Sequence, residues 1–340
     1  MNYMRIIFKK FKARMIVGCI LAVIALLAVS VIVFINQASF GRTPRGERLE
    51  RVMKSPNYRN GEFKNQHETL LMTSDRGRFS GIWEFIFRKI DGLRPEQAVK
   101  AIKTDLRKIG RNEEILVWFG HSSYLIQTGG KRILVDPVFC MASPVSFVNK
   151  PFKGTELYTP DDMPDIDYLV ISHDHWDHLD YNTVKKLKDR IGAVICPLGV
   201  GEHFEYWGFD KERLIELDWN EDANLAPGFM IHCLPARHFS GRRLTANQSL
   251  WASFLLEAPS QKIYIGGDGG YDTHYAEIGN RFPGIDLAIL ENGQYNEEWS
   301  LIHLMPQYMA QTARDLKAKR VLTVHLSLIH ISEPTRLALI

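Results

Sequence analysis

The chain has 340 residues, 45% of them hydrophobic and 24% charged, enough for a large globular core beyond one average domain. Its net charge of +3 is lopsided: residues 1–60 hold 11 Lys or Arg against two acids, leaving 31 basic and 37 acidic groups in a mildly acidic remainder that argues against nucleic acid as partner or substrate. The four cysteines, Cys19, Cys140, Cys196 and Cys233, are scattered without a CxxC pair and suggest neither a disulfide framework nor a thiolate zinc site.

In chain order, residues 1–14 form a basic tail. Met15 to Ile35 follows without a charge, long enough to cross a bilayer and long for a signal-peptide core. Gln37-Ala38-Ser39 is a poor cleavage site, so an uncleaved anchor over residues 15–36 is expected ahead of a cleaved signal or a buried core helix. A second basic stretch, Arg42 to Lys54, weakens the charge asymmetry that would set orientation; it reads equally as a headgroup contact or a solvated linker. Residues 37–111 are expected to be a linker that wraps the domain. Within them, Phe79 to Ile90 is strongly aromatic and reads as a core-packing or lipid-facing segment. Pro95 to Ile109 has a helical period in Ala98, Ile102, Leu106 and Ile109.

A folded domain is expected over 112–325. Strands around the Gly129-Gly130 turn open it. Strand-like runs recur at 167–172, 193–196, 214–217, 230–234, 250–256, 262–265, 287–290 and 321–324. Helical stretches fall at 181–190 and 306–318. Hairpins followed by strand–helix alternation point to two mixed sheets covered by helices.

The chemistry centres on His173-Asp174-His175-Trp176-Asp177-His178. Four potential ligands in six residues, imidazole and carboxylate together, suit zinc or a similar first-row ion. The cluster follows a buried strand and precedes a helix that Asp180 or Asn182 would cap, a place where open α/β sheets put their sites. Three more donors stand at strand ends: His238, Asp268 within Gly-Gly-Asp-Gly-Gly, and His325. Alone, each reads as a structural residue; together they point to metal.

The order His-x-His-x-Asp-His, His, Asp, His resembles the metallo-β-lactamase superfamily, whose fold is an αββα sandwich. Trp118 to Tyr124, Val135 to Pro137, Pro197 to Gly199, Glu216 to Trp219, Gly266 to Tyr271 and Glu277 to Phe282 are similar to the branch of N-acylphosphatidylethanolamine-hydrolysing phospholipase D. The resemblance implies two zinc ions. His173, His175 and His238 would hold one, Asp177, His178 and His325 the other, with Asp268 bridging. It also implies Asp136 and His121 as supports behind the ligands and His303 near the substrate pocket. The implied reaction is hydrolysis of an N-acylated phospholipid at its phosphodiester by a hydroxide shared between the metals, with Asp177 or Asp268 taking the proton. A lactonase or other ester hydrolase of the same superfamily is the alternative, and a membrane-tethered metal-binding protein without activity is a further one. The expected setting is a single-pass anchor in a bacterial inner membrane, with the domain outside the cytoplasm. After His325 the chain departs from the family and resembles translated adapter read-through. Residues 326–340 are therefore read as an artefactual tail after a truncated domain, and His330 is set aside.

Overall fold

The computed structural model describes residues 2–73, 95, 97–145, 150–292 and 296–325. The aromatic segment Phe79 to Ile90 and the tail from Leu326 lie outside the described residues.

A single helix runs from Asn2 to Ile35. Within it, Lys10–Ile35 is long and apolar enough to cross a membrane, with mean hydropathy 3.2 and no part of it buried. After it the chain does wrap the body, but as structure rather than linker. A 3-10 turn at Ala38–Phe40 leads to the helix Gly46–Lys54 and a two-stranded ribbon, β1 (Tyr58–Arg59) and β2 (Glu62–Phe63). Asn60 and Gly61 both take positive φ, 59° and 83°, as a tight two-residue hairpin turn requires. Val52 and Phe63 are fully buried. Arg48 is nearly buried and reaches Glu202, Glu205 and Glu216 at 2.8, 2.9 and 2.6 Å.

Two six-stranded sheets make the body. The first has β3 (Ile115–Gly120), β4 (Ser123–Thr128), β5 (Lys131–Val135), β6 (Ile166–Val170), β7 (Ile191–Pro197) and β8 (Leu214–Leu217) in sequence order. The hairpins β3–β4–β5 are antiparallel, and β5 to β8 are parallel. Gly129 and Gly130, with φ of 53° and 78°, close the β4–β5 turn as expected. The second sheet has β9 (Asp222–Ala226), β10 (Phe229–Leu234), β11 (Ser253–Glu257), β12 (Lys262–Ile265), β13 (Leu287–Glu291) and β14 (Val321–Val324). It too begins antiparallel, from β9 to β12, and ends parallel, from β12 to β14.

Period-two alternation divides the strands between three apolar layers. Ile126, Ile133, Val170 and Ile195 of the first sheet meet Ile231, Phe254, Ile263 and Ile289 of the second. On the outer face of the first sheet, Leu125, Leu134, Leu169 and Val194 meet Val184 and Leu187 of the helix Tyr181–Leu187 and Phe204 of the helix Gly201–Tyr206. On the outer face of the second, Leu255, Tyr264 and Leu290 meet Tyr275 and Ile278 of the helix His274–Arg281, with Leu316 after the helix Met309–Asp315. Helices outside two facing sheets give the expected αββα sandwich.

One expected helix is absent. Only Leu106–Lys108, in 3-10 form, is helical among the described residues of 95–109. Leu106 is buried, but Ile102 is 88% exposed. The backbone is committed elsewhere: Val99 N–H donates to Lys153 O at 2.8 Å and Thr104 N–H to the Tyr158 hydroxyl at 2.8 Å. Leu106 and Ile109 pack on the outer layer of the first sheet while Ile102 stays exposed, and a helical period only half of which is buried does not sustain a helix.

Candidate metal centre

The sheets bring their loops together at one edge of the sandwich. Between β6 and the helix Tyr181–Leu187, the six residues His173 to His178 form a tight turn, with the His178 and Leu179 N–H groups donating to His175 O at 3.1 and 2.8 Å. Asp180 caps that helix, accepting from Asn182 N–H at 3.0 Å, while its second oxygen holds Thr183 and the Cys140 and Met141 N–H groups. The donor loop is therefore fixed at both ends.

Three imidazoles converge first. His173 Nε2 and His238 Nε2 stand 2.9 and 3.3 Å from His175 Nδ1. His238 Nδ1 faces the Ile302 carbonyl at 2.7 Å, so Nδ1 carries the proton and Nε2 presents a lone pair. Burial, then the neighbouring His178, holds His173 well below the usual imidazole range; burial does the same to His238 and lowers His175. Neutral nitrogens this close share either a proton or a cation, and ligand imidazoles must be neutral.

The second group is Asp177, His178 and His325. Their donor atoms and that of His121 lie within 4.8 Å of one another. His121 Nε2 meets Asp177 Oδ2 at 3.1 Å, and His325 Nε2 lies 3.8 Å from it. Although burial favours its neutral form, the hydrogen bond from His121 and the nearby His178 keep the Asp177 carboxyl far below the usual range.

Asp268 stands between the groups. Its Oδ2 is 3.2 Å from His178 Nε2, 3.0 Å from His325 Nε2 and 3.9 Å from His238 Nε2. Against the cost of burial, Asp268 raises His178 well above its usual value and His325 to about 9, and those two keep Asp268 ionised. Asp268 Oδ1 has no hydrogen-bond partner among the described residues. The glycines around Asp268 are needed by space: a Cβ on Gly270 would overlap Leu301 O, and Gly267, at φ 61°, would meet Ser172. Buried lone pairs aimed at an ionised carboxylate, with protons held where a cation would sit, are a donor set that fits divalent metal.

Supports stand behind these groups. Asp136 Oδ2 is 2.9 Å from His178 Nδ1 and accepts from Ser172 Oγ at 2.6 Å, while Oδ1 accepts from Ser172 N–H at 2.8 Å. That fixes the His178 tautomer with Nε2 turned toward Asp268. His121, Asp136 and His325 all take positive φ, of 47°, 40° and 64°. Such backbone costs on the order of 1–3 kcal/mol each and gathers at functional sites. His303 is nearly buried, its Nδ1 2.7 Å from Glu291 and 3.8 Å from Asp268.

All seven expected ligands thus converge, with Asp136, His121 and His303 beside them. Glu291 was not foreseen. It ends β13, accepts from Gly269 N–H at 2.6 Å and Leu304 N–H at 3.1 Å, and belongs to a donor cluster with Asp268, His303 and His325. Its only signal in the sequence is its place at the end of a strand, as for His325. Asp174 was also unassigned: held down to about 2 against the cost of burial, chiefly by His203, it accepts from Gly241 N–H and Ser249 and does not face the centre.

Residues 131–326 match the beta-lactamase superfamily domain. The chain belongs to that superfamily. An uncharacterized protein of Mycobacterium tuberculosis is 37% identical over 269 residues, 77% of this chain and 71% of its own length. The N-acyl-phosphatidylethanolamine-hydrolyzing phospholipase D 1 of Caenorhabditis elegans is 29% identical over 225 residues, 61% of this chain and 62% of its own. Igni18, a metallo hydrolase of Ignicoccus hospitalis, aligns with a TM-score of 0.49 at 20% identity over 62% of this chain and 81% of that one. By family and by its donor clusters, this superfamily member is a metal-dependent hydrolase.

Proposed function

We propose that the protein is a zinc-dependent phosphodiesterase of phospholipase D type, acting on N-acylphosphatidylethanolamine-like lipids at a membrane surface. The observation that carries the reading is the Asp268 carboxylate within 3.9 Å of imidazoles from both donor groups. On this reading His173, His175 and His238 would hold one ion and Asp177, His178 and His325 a second, with Asp268 serving both groups. When bound, the ions would supply a nucleophile at neutral pH and neutralise charge on the phosphoryl oxygens.

The chain's own residues do the rest. Asp136 and Ser172 orient His178, and His121 holds Asp177. Asp177 and Asp268 stay ionised and accept a hydrogen bond from the attacking water. His303, held by Glu291 beside Asp268, donates to the phosphate. A cleft of about 550 Å³ adjoins His238; Leu70, Leu71 and Phe239 line it together with polar and charged residues that include Arg59, Lys64, Asn65 and Glu68. Walls of mixed character with two cations give an amphiphile carrying a phosphate a place to lie. The apolar helix Lys10–Ile35, of which no part is buried, suits a membrane span. The likeness to the nematode phospholipase supports the lipid substrate.

The test is a panel of N-acylphosphatidylethanolamine, a soluble phosphodiester and a lactone, run on the purified full chain with its metal content measured. Release of N-acylethanolamine that His175→Ala abolishes is the expected result. Lactone cleavage without phospholipid turnover would replace the reading with that of a lactonase, and bound metal without any turnover would leave only a metal-binding protein.

A further inference from the structure

The apolar helix joins the body through a fastened joint. Trp207 Nε1 donates to Ala38 O, Arg242 Nε to Ser39 O and Arg243 Nη1 to Gly41 O, each at 2.7 Å, and Arg42 N–H donates to His203 Nδ1 at 3.0 Å. Phe40 is buried, its ring 5.3 Å from Phe34 in the helix and 4.9 Å from Trp176 in the donor loop. Buried Arg242 lies beneath, its guanidinium 4.1 Å from the Trp176 ring and its Nη1 on Leu179 O. Five residues after the helix ends, the chain is already part of the donor-loop wall.

Beside that joint the loop Gly241 to Ala246 turns outward. Gly241 N–H donates to Asp174, and a Cβ on Gly241 would stand 3.9 Å from His175 Nε2. Three residues on, Leu244 is 84% exposed. Arg243, next to it, holds the joint. Arg42 lies 4.1 Å from the ring of Tyr206, which is 38% exposed. One short loop thus runs from a donor imidazole to a bare aliphatic side chain, with guanidinium groups and a tyrosine around the helix exit.

We propose that Tyr206, Arg42, Arg243 and Leu244 form a collar that seats the domain on an anionic phospholipid bilayer, with Leu244 entering the acyl boundary and the donor loop facing the headgroups. This rests on the reading of Asn2–Ile35 as a membrane span. A helix fastened in this way keeps its exit face at the bilayer surface, so the side chains around the exit meet headgroups. Arginine favours anionic headgroups, tyrosine the interface and leucine the acyl region. The collar draws lipid to the donor loop without a soluble carrier.

The experiment uses the full chain in vesicles of phosphatidylcholine with a minority of phosphatidylglycerol, part of the lipid brominated along its chains. The exposed cysteines are removed by Cys19→Ala and Cys140→Ala; Cys196 and Cys233 are buried. An environment-sensitive fluorophore is then placed through Leu244→Cys, Val23→Cys in the middle of the helix, or Ser260→Cys in the β11–β12 turn at the far end of the second sheet. Quenching is expected at Val23 and Leu244 and not at Ser260, with the Leu244 signal weakened by Arg243→Glu. Quenching at Val23 while Leu244 behaves like Ser260 overturns the collar and leaves the span standing. Quenching at neither Val23 nor Leu244 overturns both. None of these readouts depends on which substrate the protein hydrolyses.

Discussion

The two halves of the sandwich share one plan and supply their donors differently. Each sheet begins antiparallel and ends parallel, and each buries one face against the other half and one under helices. The first half offers His173, His175, Asp177 and His178 from a single turn held by its own backbone hydrogen bonds. The second offers His238 after β10, Asp268 after β12 and His325 after β14, one side chain from each strand end. The first set is local and exists wherever its turn forms. The second exists only when three strands are in register, so the centre reports on the assembly of the whole sandwich.

Asp268 is where the halves meet, and its loss has the largest expected effect. Asp268→Ala removes the carboxylate near His178, His238 and His325, leaving the raised His178 and His325 imidazoles without their counter-charge. Turnover should fall by at least about a thousandfold, and bound metal per chain should fall with it, read by elemental analysis. Full metal and turnover in that variant would mean that the first half builds the centre unaided.

Next comes the wrapping segment, which ties to both halves. Arg48 binds glutamates of the first, and Asn65 Nδ2 donates to His238 O in the second. Phe63 is fully buried in the layer between the sheets, and its N–H donates to Asn247 O. Phe63→Ala should cost about 3–5 kcal/mol in urea unfolding. A loss below about 1 kcal/mol would be too small for a filled core position and would make the wrap an ornament of the body.

The halves also differed in how readily they were read from sequence. β8, β12 and β14 match their expected spans residue for residue, because short apolar runs bounded by polar residues leave little choice of strand. β9 was missed: Asp222 to Ala226 is a half-exposed edge strand rich in Asp, Asn and Ala, residues that carry no strand signal of their own. The helix Gly201–Tyr206 was missed because packing on the first sheet, not an apolar period, sustains it; His274–Arg281 was missed because its apolar period, Tyr275, Ile278 and Phe282, spans only two turns. The opposite error at Pro95 to Ile109 comes from a period only half of which, Leu106 and Ile109, finds a surface, while the Val99 and Thr104 N–H groups bond elsewhere. In the site, the clustered donors of the first half were visible at once. Those of the second emerged only as a set, and Glu291 escaped because a lone carboxylate at a strand end resembles any solvated acid until the fold closes over it.

The outer layer of the second half carries an acid-sensitive group. His274 is buried, Nε2 has no hydrogen-bond partner among the described residues, and burial pushes its pKa down to about 4. The folded ring therefore stays neutral while the unfolded chain takes up a proton below about 6.5. Stability contributed by the neutral ring is complete above that value and is lost as the pH falls toward 4, by up to about 3 kcal/mol. His274→Leu should flatten the plot of urea midpoint against pH between those limits. A slope equal to that of the parent protein would put the acid sensitivity elsewhere.

Glu291→Gln should have the smallest effect and sharpens the comparison most finely. The side chain accepts from Gly269 N–H and Leu304 N–H with one oxygen and faces His303 Nδ1 with the other, 3.9 Å from His325 Nδ1. Glutamine keeps the shape and one acceptor. It puts an amide donor against either the backbone N–H groups or His303, and it removes a buried negative charge. Supports of this kind are worth about 10–100-fold in metal affinity or activity. Stability should change little, because packing is preserved. If metal affinity falls, Glu291 serves the second half's donors through Asp268 and His325. If affinity holds and only kcat falls, it serves His303 and the substrate. A loss in both, larger in Glu291→Ala and partly recovered by Gln, would mean that the carboxylate holds the Gly269 and Leu304 backbone in place, so that the second half's donors are positioned from the chain outward, as the first half's turn positions its own.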